Sequence, residues 1–308
     1  MSELLLSALE GVNPLGFLAG LGALDALTRD GRHATLRWTD DIVPQALLAG
    51  AADVGDLLAV LEKDRQTWAK SLVLGFPEKK PLPDAKPDEV LLRDWFAAVF
   101  TGGQNADAEM LSALVAEGAF DRSKKAKPTH LHFAAGQQQF LEMVRTLAAE
   151  VTKEMLEEAL FGPWAYQSPL PSLSWDARGE RLYAVRAKDP SGDKRLGVPG
   201  ADWLAFRGLI FYPVTAAGGS LRTTACDRSW KTSAFRWPLW SVPATRDVVR
   251  SLVADPTLVS EFPDARKTGT RRGHLAARGI LRVLEAPIRR TDQGGYGSFS
   301  GPDTLASV

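Results

Sequence analysis

The chain has 308 residues, 37 Lys/Arg against 37 Asp/Glu for a formal net charge of zero, and 45% apolar residues, which excludes wholesale disorder and leaves room for one large or two ordinary domains. A single cysteine, Cys226, excludes an internal disulfide and any multi-cysteine zinc site. With no apolar run of membrane-spanning length and no signal-like N-terminus, the expectation is a cytoplasmic protein without a membrane partner.

The zero total conceals an asymmetry. Residues 1–120 carry 10 Lys/Arg against 18 Asp/Glu, and residues 121–308 carry 27 against 19. The expected organisation is a mainly helical, acidic region at 1–120, a basic α+β region at 121–292, and a flexible Gly/Ser-rich tail at 293–308. An acidic face toward a protein and a basic face toward a polyanion is one reading of this split, and ordinary solvated surface is the other.

Residues 2–10 are apolar enough for an edge strand or a first helical turn. Asn13-Pro14 then supplies an N-cap and a first-turn proline, and leucines at helical spacing predict a helix over Pro14 to Arg29. Gly16 and Gly20, one turn apart within it, predict close approach of another backbone. A short strand is expected at Thr35 to Trp38, a short helix at Val43 to Ala49, and amphipathic helices at Asp53 to Leu72, Leu91 to Phe100 and Asp107 to Gly118. Between them, the proline-rich FPEKKPLPDAKP stretch reads as an exposed loop.

The second region opens on the basic cluster Arg122, Lys124, Lys125 and Lys127. Thr129 to Phe133 reads as a strand that would put His130 and His132 on one face. Two histidines suggest metal ligation, but no further ligand sits at obvious spacing, so no metal and no cofactor are expected. Polar Gln137, Gln138 and Gln139 precede a helix with Phe140, Leu141, Val144, Leu147 and Ala148 as its apolar stripe. A short helix capped by Thr152 follows, and Trp164 to Arg186 reads as two strands. The charged loop from Lys188 then leads to the aromatic-rich stretch Pro199 to Pro243.

That stretch holds eight of the 26 aromatic residues, interleaved with Arg207, Arg222, Arg228, Lys231 and Arg236. A short helix, an apolar β-prone run at Leu209 to Val214, and strands at Leu221 to Ala225 and Trp230 to Trp237 make an antiparallel β-meander or hairpin. It reads either as a core hairpin or as a ribbon that sets Trp and Arg/Lys against nucleic acid. Further on, Thr245 to Ala254 is expected as a helix. Ala276 to Leu284 is expected as another, within a basic segment containing Arg271, Arg272, Arg278, Arg282, Arg289 and Arg290 that suits a phosphate track. The fold class is therefore α+β: helical at the N-terminus, then mixed helices with an antiparallel meander.

Three blocks carry a resemblance: LEGVNPLGFLAGLGALDAL; THLHFAAGQQQFLEMV with EEALFGPWAYQSPLPSLSWD; and GVPGADWLAFRGLIFYPV through FRWPLWSVP. They resemble subunits encoded in type I-G (formerly I-U) CRISPR loci, the first block being similar to the opening of large-subunit-like proteins. The resemblance implies a component of a crRNA-guided, Cascade-type antiviral surveillance complex. Its partners would be crRNA or target DNA, the backbone-forming subunits and a helicase-nuclease. No family active site carries over, and no paired-carboxylate motif, nucleophile elbow, P-loop or HD-type metal cluster is present, so the chain is expected not to be an enzyme.

Three functions follow. The first is a non-catalytic subunit contacting nucleic acid through Lys124, Lys125, Lys127, Arg222, Lys231, Arg236, Arg271, Arg272, Arg289 and Arg290. The second is a protein–protein adaptor that recruits a nuclease-helicase without touching nucleic acid. The third is a metal-dependent nuclease using His130 and His132.

Overall fold

Asn13 caps α1 (Pro14–Arg29) with its side chain, and the helix that follows is buried from Pro14 to Leu27. The reason is a second buried helix, α8 (Pro199–Gly208), lying against it. In this computed structural model, which describes residues 3–134, 138–179, 196–227, 229–258, 272–290 and 297–307, these two helices form the centre of an α+β fold.

Glycine sets their separation. A Cβ at Gly22 would lie 1.9 Å from the Leu204 carbonyl oxygen, and one at Gly208 would lie 2.1 Å from that of Leu18. Gly16 does meet backbone, since its Cβ would lie 2.7 Å from the Glu10 carbonyl oxygen. The backbone neighbour expected at Gly20 is absent there; its nearest neighbour would be the Trp38 ring at 3.4 Å. Close approach to α8 thus falls two residues farther along the helix, at the position that faces it.

Strands β1 (Glu3–Glu10), β2 (Thr35–Trp38) and β3 (Gln45–Ala49) form an antiparallel sheet in the order β1-β3-β2. The helix expected at Val43 to Ala49 is therefore a central strand, because β1 and β2 both pair with it. Helices α2 (Val54–Trp68), α3 (Leu72–Gly75), α4 (Glu89–Gly102) and α5 (Asn105–Leu114) follow, with Asp53, Ser71 and Asp88 as side-chain N-caps for the first three.

Two hairpins come next in space: β4 (Val115–Phe120) with β5 (Ala126–Pro128), and β6 (Val214–Ala217) with β7 (Ser220–Thr223). They meet over a small apolar cluster of Ala119, Val214 and Leu221. Between them in sequence lie α6 (Phe140–Glu150) and α7 (Lys153–Phe161). Where strands were expected, Thr129 to Phe133 and the described residues of Trp164 to Arg186 form turns and irregular structure, with a single 3-10 turn at Ala177–Gly179. The apolar run at Leu209 is likewise a 3-10 turn, Leu209–Phe211, rather than a strand.

Strand β8 (Ala234–Trp240) begins four residues later than expected, because Asp227 engages the chain before it: its carboxylate accepts the Ala234 N–H at 3.2 Å. After α9 (Arg246–Val253), the segment expected as a helix at Ala276 to Leu284 is mostly strand. β9 (Ile280–Arg290) pairs antiparallel with β8, β10 (Gly297–Phe299) and β11 (Asp303–Ser307). The described part of the expected flexible tail thus supplies two strands, anchored by fully buried Phe299 against Phe133 and Phe235.

One continuous apolar core runs from Leu6 to Phe299. The compositional boundary at residue 120 falls at the tip of the β4–β5 hairpin. The halves are further joined by a buried ionic knot. Asp25 on α1 accepts from Arg207 on α8 at 2.8 Å, from Arg29 at 2.7 Å and from Arg246 on α9 at 2.6 Å. Asp64 on α2 accepts from Arg207 at 2.9 Å, and Glu109 on α5 accepts from Arg246 at 2.5 Å and Arg250 at 3.0 Å. Burial opposes ionisation of Asp25, but the guanidinium groups of Arg207, Arg29 and Arg246 outweigh it and hold the carboxyl below its usual range.

Candidate functional site

The two hairpins, with the loop before α4 and the loop before β8, enclose a pocket of about 490 Å³, within the range of small-ligand sites. Lys86, Lys127, His130, Ser220 and Trp230 line it. Asp121 also faces it, but this carboxylate is engaged by its own turn: Oδ1 accepts the N–H groups of Ser123 and Lys125 at 2.8 and 2.9 Å. That turn puts Lys124 at φ +58° and leaves it exposed.

Lys127 on β5 reaches toward the opposite hairpin, where its Nζ donates to the Gly219 carbonyl at 2.8 Å. Thr223 on β7 fixes His130 from the same side. Its Oγ1 accepts the His130 backbone N–H at 2.9 Å and lies 2.9 Å from the ring Nδ1. The other ring nitrogen, Nε2, has no hydrogen-bond partner among the described residues, although His130 is only 1% exposed. Burial, helped by the charge of Arg290 and opposed by Asp227, pushes the His130 pKa down to about 4, so the ring is neutral at pH 7.

Arg290, at the end of β9, braces the pocket from behind. Its guanidinium lies 3.7 Å from the Trp230 ring centroid and donates to the carbonyls of Trp230 at 3.2 Å, His132 at 3.2 Å and His130 at 2.7 Å. Burial lowers its pKa to about 10, which leaves it cationic at neutral pH. Among the described residues, its hydrogen bonds all go to neutral carbonyl oxygens. Its charge therefore adds positive potential behind the pocket.

His132 does not share this environment. Its Nε2 donates to Asp84 Oδ1 at 2.5 Å, while Asp84 Oδ2 lies 3.5 Å from Lys86 Nζ. Because Thr129 to Phe133 is a turn, the two histidines diverge instead of sharing a strand face. Among the described residues, no group of three or more His, Cys, Asp or Glu is arranged to hold a metal ion.

The other sequence candidates separate into three sets. Lys124, Lys125, Arg222 and Lys231 are exposed and flank pocket residues on the same hairpins and loop, Lys125 lying 3.6 Å from Asp88. Arg236 is a correction: it is committed to Asp227 at 2.6 Å and to Glu285 at 2.5 Å, since β8 pairs it opposite Glu285. Arg290 stands behind the pocket, with one hydrogen bond from each of its three nitrogens going to a carbonyl oxygen. Arg289 is exposed on β9. Arg272 is exposed on a separate helical segment at 272–276, whose neighbours His274 and Arg278 lie 3.7 and 3.3 Å from Asp255. Arg271, with Gly136, Gln137 and Arg228, lies outside the described residues.

Lys86 is the pocket cation that sequence reasoning missed. It sits in the proline-rich loop, and its only signal is the flanking Pro83 and Pro87, which stiffen that loop. A larger cleft of about 680 Å³ lies between α1, α2 and the start of α5, but its Arg29 is bound to Asp25 and Glu109 and its Lys63 to Asp30. None of the sequence candidates lines it. Among the described residues, no helix is long and apolar enough to cross a membrane.

Neither a protein-family model nor a curated protein matches this chain.

Proposed function

We propose that the chain is a non-catalytic, nucleic-acid-contacting subunit of a crRNA-guided, Cascade-type antiviral complex. The observation that carries the nucleic-acid reading is the convergence of Lys86, Lys127 and the Arg290-backed Trp230 on one pocket, with Lys124, Lys125, Arg222 and Lys231 exposed beside it. Cations and an aromatic surface together suit a phosphate backbone with an unpaired base. The sequence resemblance supplies the complex, and its partners are crRNA or target DNA, the backbone-forming subunits and a helicase-nuclease.

The adaptor reading is favoured by a different surface. Val90 and Phe100 on α4 are 67% and 60% exposed, and Phe96 stacks on Phe100. Exposed apolar side chains of this kind suit a protein partner.

A titration separates the two. Purified chain is titrated against labelled single-stranded RNA, single-stranded DNA and duplex DNA at two salt concentrations, beside a Lys124/Lys125/Arg222/Lys231→Ala variant. Salt-dependent binding that weakens in the variant supports direct contact. Absence of binding to all three at low salt leaves the adaptor reading. Recovery of crRNA with the tagged chain after co-expression with its gene neighbours tests the complex itself, and failure to recover it counts against that assignment.

A further inference from the structure

We infer that the pocket between the hairpins takes a single unstacked nucleotide, with its base against Trp230 and an acceptor atom of that base on His130 Nε2. The inference rests on the nucleic-acid reading above and adds which form of nucleic acid the site prefers and how.

His130 is the deciding residue. Thr223 Oγ1 already accepts the His130 backbone N–H, so its own proton points to a different acceptor. The ring Nδ1 at 2.9 Å is nearer than Thr129 Oγ1 at 3.3 Å. On the assignment in which Nδ1 accepts, the neutral ring keeps its proton on Nε2, and that N–H has no partner among the described residues in a residue 1% exposed. A buried donor without a partner is destabilising, and an acceptor brought by a ligand removes that cost.

The surrounding groups narrow the ligand. Trp230 is tilted 52° to the His130 ring at 5.3 Å, so a planar group entering the pocket meets the indole and the imidazole N–H together. Lys86 and Lys127 are placed at the pocket for a phosphate, and Arg290 adds a cation that no carboxylate offsets among its hydrogen bonds. Every nucleobase has a π-face and at least one in-plane acceptor. The site therefore discriminates little by base identity. It discriminates against duplex, because a paired and stacked base must first be unstacked and unpaired.

The experiment uses the full chain. Single-stranded DNA containing 5-iodouracil is photocrosslinked to the wild-type protein, the crosslinked peptide is mapped, and affinities for single strand and duplex are compared for wild type, Trp230→Ala, Trp230→Phe and His130→Gln. The expected results are a crosslink in the peptide containing Trp230, a single-strand affinity about tenfold lower in Trp230→Ala with duplex affinity unchanged, and recovery in Trp230→Phe. A salt dependence equal to that of wild type in Trp230→Ala distinguishes loss of stacking from loss of phosphate neutralisation. Crosslinks confined to other peptides, or equal losses on single strand and duplex, would overturn the nucleotide pocket and leave the cationic surface standing. No binding by wild type at low salt would remove the underlying reading as well. If Trp230→Ala does not fold, the wild-type crosslink and the Trp230→Phe and His130→Gln affinities decide the matter.

Discussion

The ionic knot and the hairpin pocket both bury arginine, and they treat its charge in opposite ways. At the knot, Arg207 is fully buried between Asp25 and Asp64, and Arg246 bridges Asp25 and Glu109. At the pocket, Arg290 gives its hydrogen bonds to three carbonyls and its face to Trp230. Carboxylate partners cancel a cation and leave a brace; carbonyl partners satisfy its N–H groups without cancelling it. The same residue type thus gives a charge-compensated joint in one place and an electropositive wall in the other. Local charge in the sequence does not distinguish them, because the partners come from distant segments.

The harshest way to break this comparison is to remove the common acceptor of the knot. Asp25→Ala leaves Arg29, Arg207 and Arg246 short of a carboxylate, and unfolding in urea is expected to show a loss of about 3–5 kcal/mol. On the proposed nucleic-acid reading, any protein that remains folded should bind as wild type does. Loss of binding by folded protein would mean that the two regions are coupled.

Arg290→Met makes the converse test. It strips three carbonyls of their donor and removes the wall's charge, with an expected cost of about 1–3 kcal/mol. On the proposed nucleotide pocket, its single-strand affinity should fall. Unchanged affinity would show that the potential behind Trp230 is unimportant.

Asp202 sharpens the comparison with a carboxyl instead of an arginine. Like Asp25 it is fully buried, but its hydrogen bonding is to the Leu173 N–H at 3.1 Å and not to a cation, and burial raises its pKa to about 7. Its contribution to stability is therefore fully present below about pH 4, near the unfolded value, and lost as pH rises through 7. His130 runs the other way, its contribution being present above about pH 6.5 and lost as pH falls to about 4. Between these limits the two oppose each other. Asp202→Asn removes one of them, so stability should fall on acidification more steeply than in wild type, by about 1.4 kcal/mol per pH unit. Urea midpoints at three pH values in that window check this; parallel profiles would refute it.

The smallest expected effect on stability is at the exposed rim. Replacing Lys124, Lys125, Arg222 and Lys231 with alanine should shift stability within about 0.5 kcal/mol per site, while the slope of single-strand affinity against salt, both on logarithmic scales, becomes shallower by about 0.7 for each phosphate left unneutralised. A large stability loss would place these side chains with the knot rather than with the pocket.

What the sequence made legible follows from how local each signal is. Asn13-Pro14, Asp53 and Thr152 mark helix starts that depend only on neighbouring backbone, and those helices stand where expected. Leu47 and Leu48 suit a helix or a strand, and pairing with both β1 and β2 decides for β3. In β9, good helix formers up to Leu284 masked the alternation of buried Leu284, Ala286 and Ile288, while Gly279 at φ +70° breaks the helix before it. Lys127, Trp230 and Arg290 were recognisable as basic or aromatic. Which of them faces a pocket, and which is already spoken for, depended on Thr223, Gly219 and Glu285 arriving from elsewhere in the chain.

That dispersion bears on the order of events during synthesis. The pocket needs Lys86, His130, Thr223 and Trp230, but its rear wall comes from Arg290 at the end of β9, itself held by β10. A nascent chain that has emerged only as far as Trp230 carries the basic hairpins without the buttress that orients His130 and Trp230. The complete pocket is therefore a property of the finished molecule, assembled only once β9 and β10 are in place.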